Sequence, residues 1–256
     1  MNKLFFSKVD ELKNKLAGLR PLDATAMNRL REDFMIENTY NTNAIEGNKL
    51  TLRETALVLQ EGMTIAGKPI KDHLEAIGHR DAFEYMISIA NDKEPLTEQR
   101  IKKMHSLVLM NDAHYKGVYR NVPVMIQGAM HTPPQPYLIA PQMEALIADY
   151  GDMKRNKHII EAIAEFHLRF EAIHPFIDGN GRTGRLIINL ELIKEGYLPV
   201  DIKYADRDKY YACFDDFHGE KQTADTLAEL ITAYAAAELE RYIKIVEYAN
   251  EGADHA

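Results

Sequence analysis

The sequence predicts a mainly α-helical domain interrupted once, by a short β-hairpin flap. Three observations carry that prediction. Apolar residues recur at three- and four-residue spacing through most of the 256 residues. Capping residues, glycines and prolines mark where these periodic stretches start and stop. One stretch, 118–139, breaks the pattern with Pro123, Gly128, Pro133, Pro134 and Pro136 around the β-prone run Val122-Pro-Val-Met-Ile, a composition that no helix interior tolerates.

Taken in order, an amphipathic, lysine-rich helix is expected over 4–19, stopped by Pro21. A second, over 24–39, is expected to bury Met27, Leu30 and Phe34. Thr51 and Glu54 form a capping box for a third helix, which Gly62 can close. Residues 71–90 put Leu74, Ile77, Phe83 or Tyr85, Met86 and Ile89 on one face. Thr97 reads as an N-cap, with Leu96 and Ile101 as its hydrophobic staple. Pro141 sits where a first-turn proline belongs, opening a helix through Tyr150. Ile159, Ile160, Ile163, Phe166, Phe170 and Ile173 mark the next helix, with Glu161, Glu165, Arg169 and Glu171 between them. The run 186–193 is apolar nearly all round, as a central helix should be, and Gly196 ends it. A long last helix is expected over 223–249.

Composition sets outer limits. Apolar residues are 46% and charged residues 27% of the chain, an ordinary globular balance. A net charge of −8 argues against nucleic acid as the main partner. The one cysteine, Cys213, excludes a disulfide framework and suits a reducing compartment. The N-terminal apolar run is too short for a signal peptide, and no apolar stretch reaches membrane-spanning length. A cytoplasmic protein with neither membrane nor nucleic acid as partner is expected.

The chemistry concentrates in 174–185, His-Pro-Phe-Ile-Asp-Gly-Asn-Gly-Arg-Thr-Gly-Arg. Gly179 and Gly181 allow the backbone to approach an anion with no Cβ between. Amides at a helix start, aided by the helix dipole, point at such an anion. Arg182 and Arg185 are three apart and can fork onto phosphate oxygens. Asp178 is placed to hold a hard cation such as Mg²⁺. His174 can take a proton near neutral pH without large tuning. Gly179, Gly181 and Gly184 also satisfy the spacing of a dinucleotide fingerprint, with Asp201 at about the right distance. That fingerprint must follow a strand, and here a helical pattern precedes it. A purely structural glycine turn would explain the glycines but not the base, acid and arginines together.

The segment resembles the signature of the Fic family, His-Pro-Phe-x-Asp/Glu-Gly-Asn-Gly-Arg-x-x-Arg, and every specified position is matched. Gly117-x-Tyr119-Arg120 and His131-Thr-Pro-Pro also look familial, and the resemblance covers about 96–235. It implies a helical domain whose flap lies over the active site and docks a target protein. It implies ATP as co-substrate, Mg²⁺ on Asp178, His174 as general base, and AMP as the group moved to a Ser, Thr or Tyr hydroxyl, self-modification included. Gly179, Asn180, Gly181, Arg182, Thr183, Gly184 and Arg185 would hold the nucleotide, with Asn180 at the α-phosphate and the two arginines at the β- and γ-phosphates. Met130 and His131 on the flap and Tyr210 at the adenine would complete the site. His218 stands where relatives often carry Asn, and no ligand role is transferred to it. His167 is expected to be a buried structural histidine, and His73 with His79, or His105 with His114, lack zinc-site spacing.

Upstream, Thr42-Asn-Ala-Ile-Glu46-Gly47-Asn48 would ordinarily be a helix end capped by Gly47. It also resembles the family's inhibitory motif, whose glutamate pairs with the second signature arginine, here Arg185. Thr42 and Glu46, four apart, share a helical face. The division expected is an N-terminal helical region (1–95) carrying this motif, a core (96–235), and a helix end and tail (236–256). Two alternatives stay open: Glu46-dependent removal of AMP from a modified protein, and a nucleotide-sensing regulator with little turnover. A homo-oligomer gripping the inhibitory helix is compatible with the sequence.

Overall fold

The computed structural model describes residues 5–126, 128, 131–219 and 221–253. Ten α-helices account for most of them: α1 Ser7–Gly18, α2 Ala24–Ile45, α3 Leu52–Glu61, α4 Ile70–Asn91, α5 Glu98–Val108, α6 Pro136–Asn156, α7 Ile159–Ile173, α8 Asn180–Lys194, α9 Arg207–His218 and α10 Asp225–Ala253. Helix α8 is central: α2, α4, α5 and α7 all pack on it. From Asn180 to Leu192 every residue but Gly181 is buried. The apolar run from Leu186 fills the core, and Asn180, Arg182, Arg185 and Asn189 enter it with polar partners. Outside this core, α6 and α10 cover α7, and α1 lies along α10.

Local chemistry accounts for the helix ends. The α3 capping box forms, with the Thr51 side chain accepting from Glu54 N–H and Glu54 accepting from Thr51 N–H, and Gly62 closes the helix at φ 65°. Thr97 accepts from Arg100 N–H, and Leu96 and Ile101 are both buried beside it. Helix α7 is capped by a histidine, His158, whose Nδ1 accepts from Ile160 N–H. No helix among the described residues is long and apolar enough to cross a membrane.

Several expectations need correction. No strand forms among the described residues, so the flap is not a hairpin. Prolines 123, 133 and 134 remove ladder donors, and a side chain does the fastening instead. Buried Arg120 donates from Nη1 to Val122 O at 3.0 Å, from Nη2 to Pro134 O at 2.7 Å and from Nε to His174 O at 2.8 Å. Helix α6 opens at Pro136, leaving Pro141 inside it; Pro136 occupies the N1 position where the missing N–H costs nothing. Met27 is exposed, and Leu74 and Ile77 are only half-buried. The buried face of α4 instead carries His73, Glu75 and His79, tolerable because each has a polar partner. Helix α2 runs six residues past its expected end, to Ile45. Helix α9 and the 3-10 turn Tyr204–Asp206 before it were not foreseen.

Candidate active site

The α7–α8 connection carries the signature. Helix α7 ends at His174, which adopts φ 48° and ψ 60°. A left-handed backbone is uncommon outside glycine and costs on the order of 1 kcal/mol or more. Here Arg120 holds the His174 carbonyl and donates its own N–H to Pro175 O at 2.9 Å. The loop is then closed from within. Asn180 Nδ2 donates to Phe176 O, and Phe176 N–H donates to Asn180 Oδ1, both at 2.9 Å. The Asn180 amide is therefore turned into the loop, not towards a ligand.

His105 on α5 clamps the same loop from outside. Gly117 N–H donates to its Nδ1 at 2.8 Å, so Nε2 carries the proton and donates to Asp178 O, also at 2.8 Å. The ring stacks on Phe176 at 3.6 Å between centroids. Burial lowers His105 to about 4, which keeps it neutral and preserves this donor–acceptor arrangement. Sequence reasoning left His105 aside, because nothing local to α5 signals a partner 73 residues away.

Gly179 takes φ 76° at the start of α8. Asp178, half-exposed, accepts from Gly179 N–H at 2.6 Å and from Arg182 Nη2 at 3.1 Å, with Lys71 Nζ 4.0 Å away. Burial alone would raise its carboxyl, but Arg182, the Gly179 N–H and Lys71 bring it below its ordinary value. It is an ionised carboxylate at the surface of the loop. No group of three His, Cys, Asp or Glu able to hold a metal occurs among the described residues. The Asp178 carboxylate is a single hard oxygen donor, of the kind Mg²⁺ takes one or two of when waters and phosphates supply the rest.

The two arginines part company. Arg182 is buried between Glu75 Oε1 at 3.3 Å and Asp178 Oδ1 at 3.1 Å. Arg185 faces a cavity of about 400 Å³. Its Nε donates to Thr42 Oγ1 at 2.7 Å, and Nη2 donates to Thr42 O at 3.0 Å and to Glu46 Oε1 at 2.7 Å. Its Nη1 lies 3.5 Å from the Tyr210 hydroxyl. Residues 42–48 form the helix end that the sequence predicts, with Gly47 turning the chain at φ 94° after α2, and the Glu46 carboxylate at that end pairs with Arg185.

Glycines in the signature serve close approach. A Cβ on Gly181 would run into Glu46 Oε1, and one on Gly184 would lie 2.6 Å from His167 Cε1 and 2.7 Å from Glu171 Oε1. Thr183 is fully buried. Glu46, Gly181, Arg185, His174 and Tyr210 all line the cavity, as does His131 from the flap. Asp178 and Arg182 are not in its wall. Met130 lies outside the described residues.

Four lining or supporting residues were missed or set aside. Tyr211 lines the cavity and donates to Ile45 O at 3.3 Å. His218 lines it too and stacks on His131 at 3.7 Å. Glu171 is buried at its floor, pushed up to about 8 by burial, with Glu46 adding to the effect. His167, expected as structural, is buried and bonded to the Tyr210 hydroxyl at 2.7 Å. Burial also holds His174 down to about 4, with Arg120 as the next cause. Its ring is neutral near pH 7 and keeps a nitrogen free to accept a proton, but the downward shift is large, contrary to the expectation that it would need little tuning.

Comparison with known proteins identifies the family and the fold. The profile of the Fic/DOC family matches residues 95–192. A protein adenylyltransferase Fic of Nematostella vectensis is 35% identical over 219 residues, covering 82% of this chain and 49% of that protein. Its counterpart in Drosophila grimshawi is 34% identical over 205 residues, covering 79% and 42%. The chain thus spans about half the length, or less, of these curated relatives. Among solved structures, a Fic domain containing signaling protein from Bacteroides thetaiotaomicron VPI-5482 matches with TM-score 0.84 at 29% identity, covering 94% of this chain and 97% of that one. Fic-1 from C. elegans also matches with TM-score 0.84, at 28% identity, covering 96% and 72%. The chain belongs to the Fic/DOC family, and its signature loop and the larger part of α8 lie inside the matched span.

Proposed function

We propose that this protein transfers AMP from ATP to a hydroxyl of a protein side chain, its own included, and that Glu46 restrains the transfer. The observation that carries the reading is the single cavity shared by His174, Arg185 and Glu46, in which Glu46 Oε1 sits 2.7 Å from Arg185 Nη2. Relatives at about a third identity bear the name protein adenylyltransferase, which supports the same activity here.

In the reaction proposed, the hydroxyl oxygen bonds the α-phosphorus as the bond to the pyrophosphate oxygen breaks. The hydroxyl proton passes to the His174 ring. Chemistry of this kind depends chiefly on positioning and charge, with a base adding about 10²–10⁴. The amides at the start of α8 and the Arg185 guanidinium supply the anion contacts. Asn180 contributes through the loop that its side chain braces, and Arg182 through its hold on Asp178. Mg²⁺ would sit on Asp178, where it would neutralise charge between the attacked and departing phosphates. Tyr210 and His131, which line the cavity, would border the nucleotide. A target hydroxyl would enter beside the flap, whose Met125 is 90% exposed. A lone, buried Cys213 and the acidic net charge suit a cytoplasmic protein without nucleic acid as partner.

Glu46 occupies the guanidinium that a γ-phosphate needs, so ATP would bind unproductively in the resting protein. Coupling between two such states is typically about 1–3 kcal/mol, or roughly 5–150-fold. The test is the rate of labelled AMP incorporation by four proteins at equal concentration. Glu46→Gly should exceed wild type by about that factor. Arg185→Ala should show no gain, and the double variant should match it. Equal rates for wild type and Glu46→Gly would remove the inhibitory role. A second reading has its own support: Glu46 lines the cavity with a side chain that remains a third exposed, within reach of a water. If Glu46→Gly loses release of AMP from pre-modified protein, Glu46 serves hydrolysis.

A further inference from the structure

The proposed base has two ring nitrogens, and the cavity treats them differently. Glu171 lies in the last turn of α7, three residues before the His174 C-cap. Its carboxyl is buried, borders the cavity, and places Oε2 3.8 Å from His174 Nδ1. The Glu171 backbone carbonyl is also within reach of the His174 ring, so two oxygen acceptors near that ring belong to one residue. Neither Nδ1 nor Glu171 Oε1 makes a well-formed hydrogen bond among the described residues. Buried polar atoms rarely stay in that condition, and bonds between catalytic groups are often long until substrate arrives.

We propose that Glu171 is a positioning residue: its carboxyl receives the Nδ1–H of His174 and turns the ring so that Nε2 faces the cavity as the basic nitrogen. The inference rests on the AMP-transfer reading only for its kinetic consequences. In the transfer step the hydroxyl proton goes to Nε2, and the Nδ1–H stays directed at Glu171 throughout. The ring carries the extra proton, and pyrophosphate leaves with its own charge.

The chemistry around the pair explains why the carboxyl can do this beside a polyphosphate. The groups facing it are His167 on α7, Glu46 from α2, Arg185 from α8, Tyr210 and Tyr211 from α9, and Arg120 and His131 from the flap. Burial and the Glu46 charge hold Glu171 protonated near neutrality. A protonated carboxyl still accepts a hydrogen bond through its carbonyl oxygen, and it adds no negative charge next to Glu46. An ionised carboxylate there would repel the incoming phosphates.

The test has two arms on the full chain. With ¹⁵N-labelled histidine, the His174 signal is identified by its loss in His174→Ala. Wild type and Glu171→Gln should both show the tautomer with Nδ1–H and a free Nε2, while Glu171→Leu should show a mixture. In the Glu46→Gly background, Glu171→Leu should lower kcat for AMP incorporation roughly ten- to hundred-fold, part of what a base contributes, with KM for ATP nearly unchanged. Glu171→Gln should keep kcat within about three-fold. Its KM should also stay flat as pH rises, where that of the Glu171 protein climbs as the carboxyl ionises. The climb should start at lower pH in this background than with Glu46 present, because Glu46 no longer adds to the upward shift. Wild-type His174 protonated on Nε2 would overturn the inference whatever the variants do. So would Glu171→Leu with unchanged tautomer and kcat, because the backbone carbonyl would then suffice. If Glu171→Leu does not fold, Glu171→Gln alone decides: a tautomer differing from wild type overturns the proposal. If no protein transfers AMP, the transfer reading falls while the tautomer arm still judges Glu171.

Discussion

Arg185 holds the site together at the scale of single residues. One guanidinium meets Thr42 through Nε and Nη2, Glu46 through Nη2 and the Tyr210 hydroxyl at 3.5 Å. Such charge-assisted bonds, partly buried, define one geometry better than a surface pair would. His174 stands apart from this set, meeting neither Arg185 nor the amides of α8. His174→Ala should therefore abolish transfer yet leave affinity for a non-hydrolysable ATP analogue nearly intact by calorimetry; a large loss of affinity would give the side chain another role. Gly181 belongs to the Arg185 set by what it lacks. Gly181→Ala should destabilise the wild-type protein by about 1–3 kcal/mol through overpacking. The same change should cost clearly less in a Glu46→Gly background, because the carboxylate that a Cβ would strike is gone. Urea unfolding of the four proteins measures the difference as a double-mutant cycle. Simple additivity would mean that Gly181 and Glu46 do not press on each other.

Among the elements, α4 couples the upstream turn to the signature. Its Glu75 carboxylate accepts from Asn48 Nδ2 at 2.9 Å and pairs with Arg182 Nη1 at 3.3 Å. The turn that presents Glu46 and the arginine that holds Asp178 thus share one anchor. Asn48 also donates to Asp72 O at 3.0 Å, and Lys49 N–H donates to the Asp72 carboxylate at 2.9 Å. Removing one partner of a buried pair leaves a charge uncompensated. Glu75→Ala is expected to cost about 3 kcal/mol, the low end for such a loss, because Asp178 still faces Arg182. Glu75→Ala should also raise AMP incorporation modestly, since the Glu46 turn loses one of its ties to α4 and keeps those to Asp72. Denaturant unfolding and labelled AMP incorporation check the two halves separately. A destabilised protein with unchanged incorporation would confine Glu75 to stability.

For the whole molecule, buried titratable groups predict how stability depends on pH. His79, His105, His167 and His174 are held down to about 3 or 4, by burial first. Their folded values lie below the unfolded one near 6.5. The unfolded chain therefore binds more protons as pH falls below that value, and stability is lost through the window from about 6.5 towards 4. Glu171 has the opposite sign. Its folded value near 8 exceeds the unfolded one, so its contribution is present below about 4.5 and is lost as pH rises through 8. The histidines outnumber the carboxyl, and the net slope between pH 5 and 6.5 should be positive. Thermal unfolding should give a lower Tm at pH 5 than at pH 7. A Tm that is flat or rises on acidification would show that these histidines take up protons without leaving their buried sites.

By itself the sequence determined most of the helices, α9 excepted, and the identity of the signature. Periodicity and capping are local properties, so α3, α5, α7 and α8 were legible from residues a few positions apart, as were Thr51, Thr97 and Gly62 as caps. The 174–185 run and the Thr42–Glu46 pair were legible for the same reason: their chemistry lies in short spacing. Tertiary structure decided what depends on distant partners. It turned Arg182 into the core against Glu75 and left Arg185 to face the cavity, although both arginines look alike on one helix. It set His105 on the signature loop, His218 on His131 and Glu171 beside His174, contacts whose meaning no single stretch carries. The flap was misjudged because β-prone residues form a strand only with a ladder partner, and here Arg120 ties the segment down instead. Local steric preference decides which backbone a residue adopts, and packing across the fold decides which charge it meets.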